Sequence, residues 1–390
     1  IAVALVIGQL IYRVKANLFW VSVVGVAALY LMIYVGPSVP VALPENVMGV
    51  SANAMWILLL FLYAAIASLL PVWMLLQPRD YINGLQLFVG LGLLYLAVFI
   101  ANPAVVAPAI NHEVPAGTPS MIPLLFVTIA CGAISGFHGL VSSGTTSKQL
   151  NKESDARFVG YFGAVGEGAL ALAAIVAASA GFATLADWQA VYDSFGKGGV
   201  AAFVNGGASI LSSGLGFNDE VAATMLTVMA ALFAGTTMDT GLRLQRYIFQ
   251  EWGEIYNIKW MGKPLIATVL AVASCLLLAF GAGGADGSGG LIIWPLFGTT
   301  NQLLAGLTLL VIAVMLVRKR VTAVYVIWPL VFLLVMTLAA LLIQLRSFYL
   351  KQDWFLFGLD LVVLVAAILV TLECVSVLRT EKRKVLEGNF

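Results

Sequence analysis

The stretch ISGFHGLVSSGTTSKQLNKESDARFVGYFGAVGEGA, Ile134–Ala169, decides the fold: apolar flanks close around a short charged turn. That pattern is a helical hairpin in a membrane, with Lys148 and Arg157 as the cations nearest each flank. His138 stands ten residues before Lys148, and Glu167 ten residues after Arg157. At about 1.5 Å per helical residue each lies roughly 15 Å from the turn, half of a ~30 Å hydrocarbon core. Helices joined by a short turn pack antiparallel, so the spacing predicts His138 and Glu167 at one depth. A titratable pair at the midplane is the first pointer to function.

Composition extends this outward. The chain has 390 residues, 61% hydrophobic and 10% charged. A soluble domain carries roughly 25% charged residues, so the class is an all-α polytopic membrane protein, read as a single transport domain over residues 1–390. Eleven apolar runs are expected: Ile1–Tyr12, Leu18–Val35, Asn53–Leu76, Gly84–Ala101, Met121–Val141, Phe158–Gly181, Asn218–Thr240, Pro264–Gly281, Leu291–Val317, Thr322–Gln344 and Trp354–Leu378. Some are expected to be discontinuous. The chain opens at Ile1 inside the first run, which reads as the remnant of a longer membrane region. Cys131, Cys275 and Cys374 each fall in an apolar run without metal-ligand spacing, so neither a disulfide nor a metal is expected. No phosphate-binding loop, dinucleotide fingerprint or basic aromatic patch is present, which leaves ATP-driven transport, cofactor chemistry and nucleic-acid binding without support.

Charge placement sets the expected topology. All of the 20 basic residues except Lys197, Arg346 and Lys351 fall in one set of alternate loops. By the positive-inside rule that set, with the 379–390 tail, faces the cytoplasm. Residues 181–217 become an extracytoplasmic loop whose apolar piece Val200–Leu215 could form a short or re-entrant helix. Residues 241–262 mix Arg, Gln, aromatic and Glu residues, the composition of an amphipathic segment at the headgroups.

The chemistry-bearing candidates are few. Glu167 lies among Gly160, Gly163, Gly166 and Gly168, where helices approach closely, and reads either as a proton or cation site or as a hydrogen-bonded structural carboxylate. His138 reads either as a proton-coupled residue or as one that packs or hydrogen-bonds between helices. Ser142, Ser143, Thr145 and Thr146 flank Gly144, and either bind a substrate or ion from unwound backbone or merely stop a helix. Thr299, Thr300, Asn301 and Gln302 sit deep in an apolar run, marking either an interrupted helix at a substrate site or interhelical hydrogen bonding. Asp239 and Arg243 read as an ion pair or an inner gate; Asp360 and Glu373 are given no role.

Four blocks, Ala130–Leu150 (ACGAISGFHGLVSSGTTSKQL), Pro71–Tyr81 (PVWMLLQPRDY), Met238–Arg246 (MDTGLRLQR) and Trp294–Gly306 (WPLFGTTNQLLAG), resemble the carbon starvation protein A (CstA) family in content and order. The resemblance implies a multi-pass inner-membrane importer of peptides or pyruvate, proton-coupled in the pyruvate case. It also implies kinship with amino acid–polyamine–cation transporters built on inverted five-helix repeats. Glu167 matches a glutamate after the family's Gly-Tyr-Gly segment. Ser147 replaces the family's proline, and its N-terminal Gly-His-His region has no counterpart here, so part of the core is expected to be lacking. The expected partners are a small carboxylate-bearing substrate, a proton or other cation, and membrane lipid, with the oligomeric state open. Two rival readings are an intramembrane serine hydrolase using Ser142 or Ser143 with His138, and a membrane solute sensor.

Overall fold

Runs of Leu, Val, Ile and Phe too long for a soluble core become helices, because only a helix satisfies every backbone polar group within one segment of lipid. The computed structural model describes residues 1–47, 49–115, 118–193 and 198–387. Its helices are α1 (Ala2–Tyr12), α2 (Leu18–Val35), α3 (Ala52–Leu69), α4 (Leu76–Ala101), α5 (Phe126–Ile129), α6 (Gly136–Val141), α7 (Asp155–Ala180) and α8 (Leu185–Val191). They continue as α9 (Gly199–Leu215), α10 (Asp219–Ile255), α11 (Pro264–Gly283), α12 (Gly289–Ile292), α13 (Trp294–Arg318), α14 (Val324–Leu350) and α15 (Trp354–Glu387). Among the described residues, 10 helical stretches are long and apolar enough to cross a membrane. The expected eleventh run is α1, which is shorter, as is α9. The protein is therefore an all-α polytopic membrane protein; its strand content is a local antiparallel pairing of Asn46–Val47 with Val50–Ser51. Lys197, counted in the charge bias, lies outside the described residues.

The chain divides into two compact units. The first comprises residues 1–118 and 163–273. Its core joins Leu91, Leu94 and Ala97 of α4, Ala173 of α7, Val204, Ile210 and Leu211 of α9, and Met225, Leu226 and Met229 of α10. Helix α9 lies at the centre of this cluster. Glycine lets it: a Cβ on Gly206 would stand 2.0 Å from the Ala177 carbonyl oxygen, and one on Gly214 2.5 Å from that of Ala97. Small residues substitute for apolar driving force where helices meet in lipid. The expected outer loop over 181–217 thus contains a short helix, α9, that is part of the bundle core.

Helix α10 starts on Asn218, whose side chain accepts from the Glu220 N–H (2.9 Å), with Asp219 and Glu220 in the first turn where carboxylates favour the helix dipole. It runs on for 37 residues to Ile255. The amphipathic segment expected over 241–262 is, for most of its length, the end of this one helix, with Leu242, Arg243, Leu244, Arg246 and Gly253 buried. In the same way α15 continues to Glu387, so the start of the expected tail is helical.

The second unit comprises residues 119–162 and 274–390. Its core is a heptad seam: Leu296, Leu303 and Leu310 of α13 meet Leu334 and Leu341 of α14 and Ala367 and Cys374 of α15. Across it, Met121–Gln149 is a broken span of α, π and 3₁₀ pieces. Gly132, Ser135, Gly136, Gly139 and Gly144 supply too little helix propensity to hold one register. Discontinuity falls here, and the interruption expected within Leu296–Gly306 does not occur: α13 is unbroken from Trp294 to Arg318. Pro295 occupies its first turn, where no N–H is needed, and the Thr299 and Thr300 hydroxyls bond back to the Leu296 carbonyl (2.8 Å each). The chain breaks earlier, at Gly284 and Gly287, both with positive φ.

Candidate functional site

Two buried polar groupings stand out, one in each unit. In the first unit, Tyr63 of α3, Arg79 and Asn83 of α4, and Thr236, Asp239, Arg243 and Arg246 of α10 converge. Residues 236, 239, 243 and 246 form one helical stripe, as do 79, 83 and 86. Arg79 Nη2 lies 3.0 Å from Asp239 Oδ2, a charge contact without hydrogen-bond alignment, and its Nη1 donates to the Tyr63 hydroxyl. Asn83 Nδ2 donates to Thr236 Oγ1 (2.8 Å). Arg243 Nη2 donates to the Ala67 and Leu70 carbonyls (2.7 and 3.1 Å). Those carbonyls end α3 before Pro71, where a helix has unbonded oxygens and a partial negative charge. Asp239 is fully buried, and Arg79, Arg243 and Arg246 are nearly so.

The ion pair expected between Asp239 and Arg243 is thus drawn between Asp239 and Arg79, joining α4 to α10, while Arg243 ties α10 to α3. A buried pair adds little net stability, because desolvation offsets attraction, but it is costly to break. Its chemistry suits a latch more than a binding site. Three arginines counted as cytoplasmic loop charges are in fact inside this cluster.

The second grouping lies on α6 and α13–α15. Asn301 Oδ1 accepts from the Phe137 N–H (2.8 Å) and from the Ser135 hydroxyl (3.2 Å), so it caps the break before α6. Gly136 makes the approach possible: a Cβ there would lie 2.4 Å from both the Ala305 nitrogen and the Asn301 carbonyl oxygen. Thr299 Oγ1 also reaches Gln344 Oε1 of α14 at 3.4 Å. Asn301 Nδ2, both amide atoms of Gln302, Thr337 Oγ1 and both Asp360 oxygens are buried without a hydrogen-bond partner. Such groups cost free energy in a sealed interior, which makes this grouping the candidate site.

The remaining sequence candidates distribute differently. His138 belongs to the second unit and is exposed; Glu167 is half-buried on α7 in the first. The two fall in different units, and α6 is too short and irregular for depth counting. Ser142–Thr146 is a π-helical turn instead of unwound chain. Ser143 and Thr145 donate to the Leu140 and Val141 carbonyls (3.2 and 2.9 Å), the local bonding of helical hydroxyls. Thr299, Asn301 and Gln302 are buried, and Thr300 is half-buried. From sequence, Arg79 reads only as a loop charge, Gln344 is not singled out, and Asp360 is assigned no role. Arg79 stands four residues before Asn83 and seven before Gln86, a polar helical stripe at the start of an apolar run. The groove between α1 and α2, lined by Val3, Ile7, Val21 and Gly25 among others, is apolar and far from this chemistry in kind.

Comparison with known proteins agrees with the four sequence blocks. The family model "Carbon starvation protein CstA" matches residues 1–191 and 184–340, and the chain belongs to that family. A peptide transporter CstA of Helicobacter pylori is 34% identical over 352 residues, covering 76% of this chain and 50% of the relative. A peptide transporter CstA of Bacillus subtilis is 31% identical over 90% of this chain and 64% of its own length. The pyruvate/proton symporter BtsT of Escherichia coli is 31% identical over 73% of this chain and 50% of its own. The chain thus spans half to under two thirds of the length of these relatives. No solved structure matches it.

Proposed function

We propose that this chain forms part of a secondary active transporter that imports a small carboxylate-bearing nutrient, a peptide or pyruvate, coupled to protons. The observation that carries this is the line of uncharged polar side chains on α13: Asn301 and Gln302 are buried inside a spanning helix, with Asn301 Nδ2 and both Gln302 amide atoms unpartnered. Buried amides in a membrane bundle provide reversible hydrogen bonds to a solute that leaves water behind. The names of the relatives supply the substrate classes and the coupling ion. In this reading Ser142, Ser143, Thr145, Thr146 and Thr299–Gln302 bind substrate or ion, while His138 and Glu167 exchange protons. The protein sits in the inner membrane with its C-terminus in the cytoplasm. Ser143 gives its hydroxyl to a carbonyl of its own helix, so transport stands ahead of serine hydrolysis.

The test is uptake by proteoliposomes of the full-length protein, comparing labelled pyruvate with a labelled dipeptide under an imposed pH gradient. Accumulation of one of them, driven by inward proton flow, is expected. Glu167→Gln is expected to lower the driven rate at least tenfold. Uptake indifferent to the gradient removes proton coupling; binding without flux turns the protein into a sensor.

A further inference from the structure

The second unit buries one carboxylate completely, and it lies outside every sequence block discussed so far. Asp360 has 0% exposure, and neither of its oxygens has a hydrogen-bond partner. The first unit shows the usual company of such a group: Asp239, equally buried, has Arg79 at 3.0 Å and the buried Arg243 one helical turn along. Among the described residues of the second unit, no arginine, lysine or histidine is buried. Arg318 of α13, Tyr325, Arg346 and Tyr349 of α14, and Glu373 and Arg379 of α15 are exposed. Asp353, at the start of α15, accepts from the Leu356 N–H (3.1 Å). Cys275 of α11 is half-buried, and Cys374 lies four turns along α15. A carboxylate removed from water with no fixed cation is tolerated when a mobile one comes and goes.

Register identifies its neighbours. Asp360 shares the seven-residue spacing of Ala367 and Cys374, both buried in the seam against α13 and α14. Residues 330, 337 and 344 repeat the spacing on α14, and 299, 306 and 313 on α13; all are buried. Residues 351–353 alone connect α14 to α15, so the two helices form a tight hairpin. Gln344 is six residues before its end at Leu350, and Asp360 six after Trp354. Both therefore lie about 9 Å from the turn, at one level. Thr299 joins that level through Gln344, and Gln302 follows one turn further along α13.

We infer that Asp360 is a further carboxylate that takes up the coupling proton, in addition to Glu167, in a site completed by Gln344, Thr299 and Gln302; this rests on the proton-coupled reading above. The proton comes from water on one side of the membrane and binds a carboxylate oxygen. The neutral carboxyl then donates to an amide oxygen of Gln344 or Gln302, and the same proton leaves to water on the other side. One carboxylate among amides and hydroxyls suits a singly charged cation; among the described residues no group of three His, Cys, Asp or Glu exists to hold a metal.

The test uses the full-length protein in proteoliposomes, with D360N against wild type. The variant is expected to keep substrate counterflow without any gradient and to lose at least tenfold of the accumulation driven by pH. Wild-type accumulation by D360N overturns the inference while leaving the transport reading intact. Wild-type transport driven by a sodium gradient alone also overturns it. A wild-type protein that transports nothing overturns the transport reading first. Should D360N fail to fold, the wild type is treated with dicyclohexylcarbodiimide, which modifies protonated membrane carboxyls, and mapped by mass spectrometry. An adduct at Asp360 that declines as pH rises supports the inference, and its absence at every pH overturns it.

Discussion

Breaking the Arg79–Asp239 contact one side at a time should cost far more than removing it whole. Asp239→Asn leaves a guanidinium whose side chain is 6% exposed, with Asp80 at 4.0 Å, itself 40% exposed, as its remaining carboxylate neighbour. Arg79→Met leaves a carboxylate with no exposure at all. Uncompensated buried charges of this kind cost about 3–5 kcal/mol, and the nearness of Asp80 sets the Asp239→Asn figure near 3 kcal/mol. The double variant Arg79→Met/Asp239→Asn strands neither charge, so it should return to within about 2 kcal/mol of the wild type, the remainder being the lost Tyr63 bond and a buried amide. The coupling energy is then roughly 4 kcal/mol or more, well above the few tenths expected of independent sites. Denaturant-induced unfolding in mixed micelles, read by tryptophan fluorescence for all four proteins, measures it. If the double variant loses the sum of the two single losses, the groups do not compensate each other and the latch assignment is wrong.

Two other perturbations probe the α6–α13 junction. Gly136→Ala puts a methyl against backbone atoms that cannot rotate away, and should cost at least the ~1–3 kcal/mol of overpacking in thermal unfolding. Gly139→Ala meets chiefly the Thr308 side chain and should be milder; equal losses would mean that the crossing is not as tight as described. Asn301→Ala removes the acceptor for Phe137 and Ser135 and should cost about 2 kcal/mol, with Asn301→Asp recovering part of it because both acceptor positions remain. Loss in the Asp variant as large as in the Ala variant would argue against the capping role.

Hydropathy located the spanning helices because the bilayer imposes a length and an apolarity that few other constraints imitate. It marked Val200–Leu215 as a short or re-entrant helix without a place in the bundle; at 17 residues α9 is too short to span, and it gains its place through Gly206 and Gly214 against neighbouring backbone. The polar run Thr299–Gln302 looks like a helix break, since deep polar residues often accompany one. The back-bonding hydroxyls and the partners reached from α6 and α14 keep it helical, and only tertiary contacts reveal that. Arg79, Arg243 and Arg246 lie near the ends of apolar runs, where an arginine in a loop and an arginine in a latch look alike. Depth counting from the charged turn assumes straight α-helix, an assumption that residues 121–149 do not meet, since they change helix type repeatedly. Asp360 left one trace, its seven-residue spacing to Ala367 and Cys374, which gains meaning only once the seam is known.

At 37 residues α10 is about 55 Å long, against roughly 30 Å of hydrocarbon, so it cannot be contained by the bilayer. Asp239 lies about 30 Å from its start, which leaves about 24 Å of rigid rod beyond the level of the ion pair. Near the tip Gln250 donates to the Gly262 carbonyl (3.0 Å), fastening the rod to the turn that feeds α11. Pivoting by about 10° around Asp239 would swing that tip through about 4 Å. A small change of angle at the level of the pair would thereby be geared up at the turn that leads into the next helix.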